Sequence, residues 1–130
     1  MNGPGSDLVE AAAAAASSKK AERIVILDVS KQLVITDHFV ICSGSSDRQV
    51  KSIADEIQKV LAADMNVKPF RREGEREGRW VLLDYVDFVV HVFHTEDREY
   101  YDLERLWSDA QKIEYLDEGW DEDERTRAAT

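Results

Sequence analysis

Three runs in this chain are apolar on both strand parities: RIVILDV at 23–29, HFVICSG at 38–44 and RWVLLDYVDFVVHVFH at 79–94. A strand with one wet face alternates polar and apolar residues, whereas a strand that is apolar at almost every position is covered on both faces. The runs are rich in Val, Ile and Phe and end in polar or glycine-containing stretches, as strands do. They therefore call for a sheet with other elements packed on it.

Helical periodicity supplies those elements. The clearest helix opens just after Gly44, where Ser46 and Gln49 make a capping-box pattern. Val50, Ile53, Ala54, Ile57, Val60 and Leu61 then follow helical spacing, and Lys51, Ser52, Asp55, Glu56 and Lys59 make the wet face. From Asp7 to about Lys20, DLVEAAAAAASSKK predicts a first helix on the propensity of Ala, capped by Ser6 or Asp7. Its weakly marked apolar face suits an edge position. A last helix over 97–109 would present Tyr100, Leu103, Leu106, Trp107 and Ala110 as one stripe.

Between the last two helices, VKPFRR reads as an edge strand, because Pro69 has no backbone donor to give a ladder. The polar turn EGEREG then leads into two antiparallel strands, 79–84 and 88–94, joined by a tight turn at Tyr85 and Val86. Alternation puts Trp80, Leu82 and Asp84 on one face and Val81 and Leu83 on the other, while Phe88, Val90 and Val92 oppose Val89, His91 and Phe93. The expectation is a single α/β domain over residues 7–113, with a mixed β-sheet of about five strands flanked by helices.

The 130 residues suffice for one core and not comfortably for two. MNGPGS at 1–6 has the look of a tag or a disordered leader, and residues 114–130 that of a solvated acidic tail with Trp120 as its only candidate anchor. With 27 acidic against 17 basic residues and a formal charge of -10, unaided binding to a phosphate backbone is disfavoured and a basic protein partner is favoured. The single cysteine, Cys42, lies in an apolar run as a small buried hydrophobe, which suits a reducing compartment. No apolar run approaches the roughly 18 residues of a membrane span. The N-terminus has neither a secretory pattern nor the Arg of a transit peptide, so the expected location is the cytoplasm.

An enzyme would need chemistry that the spacing does not provide. SGSS at 43–46 runs from a strand into a helix N-terminus, where an anion can be held, but a turn with a helix cap explains it as well. Nucleotidyl transfer requires two carboxylates on one strand face to hold Mg²⁺; Asp84 and Asp87 are three apart with a turn between them. His91 and His94, also three apart, point to opposite faces, and Cys42 is distant, so no metal site is expected. Ser43, Ser45 and Ser46 have no cue placing a base beside them. Neither a catalytic residue nor a cofactor is predicted. Trp80, Tyr85, Tyr100, Tyr101 and Trp107 are instead of the types enriched at protein interfaces. Trp107 reads as core, and Trp80, beside a polar turn, divides evenly between core and surface. A binding module thus stands ahead of the alternative, a nucleotide-binding or nucleotidyltransferase-type enzyme.

Three ordered motifs, ITDHFVICSGSSDRQVKSIADE, EGRWVLLDYVDFVVHVFH and YYDLERLW, resemble the bacterial ribosomal silencing factor family, also called Iojap-related, over roughly residues 7–110. Two positions depart from the family pattern: His38 stands where Tyr is common, and Val86 where Gly is common. A Gly there would permit positive φ in the turn, which a β-branched Val resists. The resemblance implies a topology similar to nucleotidyltransferases without their catalytic carboxylates, and no reaction. It also implies binding to the large ribosomal subunit through ribosomal protein L-fourteen, blocking of subunit joining when nutrients run short, and often a homodimer in the free state. By match to EGRWVLLDYVD, the implied contact residues are Trp80, Asp84, Tyr85 and Asp87, with His91 as a secondary candidate. Little direct nucleic-acid contact and no membrane are expected.

Overall fold

The computed structural model describes residues 4–74 and 76–115. Its sheet has six strands: β1 (Glu22–Asp28), β2 (His38–Gly44), β3 (Arg71–Glu73), β4 (Trp80–Asp84), β5 (Phe88–His94) and β6 (Gln111–Glu114), in the order β3-β4-β5-β2-β1-β6. Among the described residues β2 and β5 pair in parallel and the other neighbours pair antiparallel, so the sheet is mixed as expected. The helices are α1 (Pro4–Ser18), α2 (Asp47–Met65), α3 (Thr95–Tyr101) and α4 (Leu103–Leu106).

Parity sorts the strand residues into two layers. Ile24, Ile26, Val40, Cys42, Val81, Leu83, Phe88, Val90 and Val92 join one core cluster with α1 and α2. Val25, Leu27, Phe39, Ile41 and Phe93 point the other way, into a second cluster covered by Leu33, Leu103, Trp107 and Ala110. Burial raises the Cys42 thiol to about 12, which leaves it the inert hydrophobe expected.

On α2, Val50, Ile53, Ala54, Ile57 and Leu61 are buried as the periodicity demands. Its cap is more elaborate than a simple box. The Ser46 hydroxyl accepts from Gln49 N at 3.1 Å, while Gln49 Oε1 accepts from Ser45 N at 2.7 Å and Gln49 Nε2 donates to Lys19 O and Lys20 O. One glutamine thus closes the helix start and ties it to the end of α1.

Three expectations change. The first helix is central rather than peripheral: it takes in Pro4, Gly5 and Ser6, and Val9, Ala12, Ala13, Ala15 and Ala16 are buried against the sheet and α2. Its side chains are too small to mark an apolar face by hydropathy, yet they let two helices approach closely. The single last helix is broken, because Asp102 adopts φ 46 and closes α3 through a bond from its own N–H to Arg98 O. Tyr100 and Leu106 are left exposed, and the chain then forms a sixth strand, β6, on the free edge of β1. Tyr115 N donates to Ile24 O at 2.9 Å, so the sheet reaches past residue 113. The rest of the acidic tail, with Trp120, lies outside the described residues, as do residues 1–3 of the leader.

Arg98 holds this broken corner. Buried to 2% exposure, its Nε donates to Glu104 at 3.0 Å and its Nη1 to Glu22 O and Ser43 Oγ, each at 3.4 Å. Burial alone would raise the Glu104 carboxyl, but the hydrogen bond and charge of Arg98, with Arg23 and Lys112 nearby, outweigh it and hold that carboxyl below its ordinary value.

Candidate functional site

The antiparallel register of β4 and β5 pairs Trp80 with Phe93, Leu82 with His91 and Asp84 with Val89, so these six residues share one face, opposite α1 and α2. Next to them, the parallel register sets Phe39 beside Val89 and Ile41 beside His91. At one end of this face Trp107 packs edge-on against Phe39, with ring centroids 5.5 Å apart. Towards β3 it stays open. An apolar groove of about 370 Å³ remains there, lined chiefly by Leu33, Ile35, Phe39, Phe70, Leu82 and Val89.

Trp80 is neither plain core nor plain surface. It is half-buried, its ring packs on Phe93 at 4.7 Å and Tyr101 at 4.9 Å, and its Nε1 donates to His91 Nδ1 at 3.1 Å. That bond fixes the tautomer of His91: with Nδ1 accepting, the neutral ring carries its proton on Nε2. Burial pushes the His91 pKa down to about 4, so the ring is neutral at physiological pH. His94, on the other parity, caps α3 by accepting from Glu96 N at 3.2 Å. The two histidines do not converge.

Asp84 is tied down from two sides. Its Oδ2 accepts from Arg71 Nε at 3.3 Å and its Oδ1 from Val86 N at 2.8 Å. The turn that follows is tighter than two residues at Tyr85 and Val86 suggest. Asp87 N donates to Tyr85 O at 2.9 Å around Val86, whose φ is 73, which makes a γ-turn of the rare positive-φ kind. Asp87 itself is exposed.

Tyr85 requires a correction. Expected at the contact surface, it is 7% exposed, belongs to the core cluster beneath α1 and α2, and stacks on Phe88 at 4.8 Å. Continued alternation explains it, since Val81, Leu83 and Tyr85 fall on one parity, away from Trp80 and Asp84. Burial raises its hydroxyl to about 12. Trp80, Asp84 and His91 therefore do come together, Asp87 lies beside them at the turn, and Tyr85 supports the turn from below. Sequence reasoning missed Ile35 and Phe70, 80% and 76% exposed, which border the same groove from two separate loops. Neither local stretch announces the groove: Ile35 ends the apolar run LVI, and Phe70 stands alone among polar residues.

The SGSS segment is committed to structure. Ser45 N and Gln49 N, two of the backbone donors at the start of α2, are already bonded within the cap. Among the described residues no helix is long and apolar enough to cross a membrane.

Comparison with known proteins places this chain in a family. The family model described as "Ribosomal silencing factor during starvation" matches residues 4–130. The chain is 45% identical over 108 residues to the ribosomal silencing factor RsfS of Halalkalibacterium halodurans, covering 83% of this chain and 92% of that one. It is 48% identical over 103 residues to RsfS of Bacillus subtilis, covering 79% and 86%. A crystal structure of a Chromobacterium violaceum protein superposes with a TM-score of 0.76 at 36% identity, over 79% of this chain and 85% of that one. These matches span nearly the whole domain, and the chain belongs to the ribosomal silencing factor (RsfS) family.

Proposed function

We propose that this protein binds the large ribosomal subunit through ribosomal protein L-fourteen and represses translation by occupying the surface that the small subunit must meet. The observation that carries the reading is the open side of the sheet. Trp80 is oriented there by its bond to His91, an apolar groove lies beside it, and Asp84 and Asp87 stand at the edge. Such an aromatic anchor within a polar rim is the pattern of an interface hot spot.

The action is occlusion rather than catalysis. A domain of 14.8 kDa bound at the joining face excludes the partner subunit for as long as it stays bound. An interface of roughly 1,200–2,000 Å² is enough for specific binding. The net charge of -10 speeds encounter with a basic ribosomal protein and reduces nonspecific adhesion to RNA. The protein acts in the cytoplasm and without a cofactor, and the family resemblance implies that it can form a homodimer when free. Cosedimentation with isolated large subunits, followed by a light-scattering assay of subunit joining, tests the reading. Saturating protein is expected to pellet with the large subunit and suppress joining; failure to pellet would refute it.

A further inference from the structure

Two residues that line this groove each hold a buried polar atom with no partner among the described residues. His91 Nε2 carries the ring proton, because Nδ1 is occupied by Trp80, and it meets no acceptor among the described residues. Thr36 Oγ1 has no partner either. Both residues line the groove, at 6% and 5% exposure. Buried polar groups are nearly always satisfied in native structures, so two such atoms at one apolar groove point to an acceptor that arrives from outside.

The charged residues that line the groove, Arg71 and Asp84, pair with each other, and two further aspartates stand next to it. Asp37 N donates to Asp87 O at 2.8 Å, which brings the β1–β2 loop against the hairpin turn and sets two exposed aspartates side by side. Neither is ion-paired among the described residues, whereas Asp84 nearby is held by Arg71 at 3.3 Å. A second copy of this chain would bring the same two aspartates to the same place, so it is the wrong occupant by charge. A basic segment is the right one.

Resting on the docking reading above, we propose that the groove receives one large apolar side chain from a basic segment of the ribosomal partner, with an adjacent acceptor oxygen taking hydrogen bonds from His91 Nε2 and the Thr36 hydroxyl. Ile35, Phe70, Leu82 and Val89 grip the side chain, and Asp37 and Asp87 face the flanking basic residues. The contact thereby extends from the Trp80 edge to the two loops.

The test is pelleting of the full chain with isolated large subunits. Ile35→Ala and Phe70→Ala alter exposed side chains and leave the fold intact. Thr36→Val keeps its shape and removes only the hydroxyl. Circular dichroism checks each variant for folding. The first two are expected to weaken binding about tenfold each, and Thr36→Val about threefold to tenfold, the effect of one lost hydrogen bond. The proposal is overturned if Trp80→Ala weakens binding while all three groove variants bind like wild type, a result that leaves the docking reading standing. It is equally overturned if the groove variants lose only self-association, measured by sedimentation equilibrium, since the groove then belongs to a second copy. Failure of the wild-type protein to pellet removes the docking reading and this inference with it.

Discussion

Replacing Val86 by glycine should stabilise the protein. Val86 sits at φ 73 in the γ-turn, closed by the bond from Asp87 N to Tyr85 O at 2.9 Å. A β-branched residue held in that region costs about 1–3 kcal/mol. The side chain is 54% exposed, so its removal forfeits little apolar burial. Glycine relieves the strain but widens the unfolded ensemble, at about 0.4–1 kcal/mol. The difference is a gain of about 1 kcal/mol, or about 3–6 °C in Tm for a domain of this size. Differential scanning calorimetry measures it directly. Val86→Asn should give a smaller rise, since Asn tolerates positive φ better than Val, and Val86→Ile none, because it retains the strain. A Val86→Gly protein that melts at or below the wild-type temperature would refute the strain argument.

Other consequences are open to measurement. Trp80→Ala should fold, with lowered stability because His91 Nδ1 loses its donor, and should lose about 2 kcal/mol of binding to large subunits, roughly thirtyfold in Kd; titrated pelleting reads it, and undiminished affinity would count against the anchor. His91 has a folded pKa of about 4 against an ordinary 6.5, so the unfolded chain takes up a proton first on acidification. Stability from this group is full above pH ~6.5, is lost as pH falls towards ~4, and amounts to about 3 kcal/mol. Urea titrations between these limits should show a shallower pH dependence in His91→Gln. Glu104→Ala leaves the guanidinium of Arg98 without its carboxylate and should destabilise the fold by about 3 kcal/mol; Arg98→Met with Glu104→Leu should recover much of that loss in chemical unfolding. Because Glu104 is held below its ordinary value, its contribution is present above the usual carboxylate range and fades as the pH drops through its folded pKa.

Much of the fold was legible because parity and helical period carry it. The two-sided apolar runs demanded a covered sheet, and the apolar positions Val50 to Leu61 gave α2 its buried face. The strand containing Pro69 was expected at an edge, and β3 (Arg71–Glu73), just after that residue, is an edge strand. What escaped was non-local. Nothing in Gln111–Glu114 alternates strongly enough to announce β6; it is a strand because β1 leaves an edge to be paired. The break at Asp102 depends on a left-handed conformation that Asp permits without announcing. For the site, alternation correctly put Trp80 and Asp84 together. The same rule, carried one step further, would have sent Tyr85 inward. It was suspended there only because the residue was assigned to the turn. The groove could not be read at all, since Ile35 and Phe70 come from loops far apart in sequence and meet only when β2 to β5 are assembled.

The central claim is that a bound domain stands where the small subunit must go. Its most direct test is light scattering of mixed ribosomal subunits as this protein is titrated in. The account predicts that the scattering increase on joining falls to a low plateau as the large subunit becomes saturated, and that Trp80→Ala shifts the titration roughly thirtyfold to higher concentration. Subunits that join to the same extent with the large subunit saturated would contradict it.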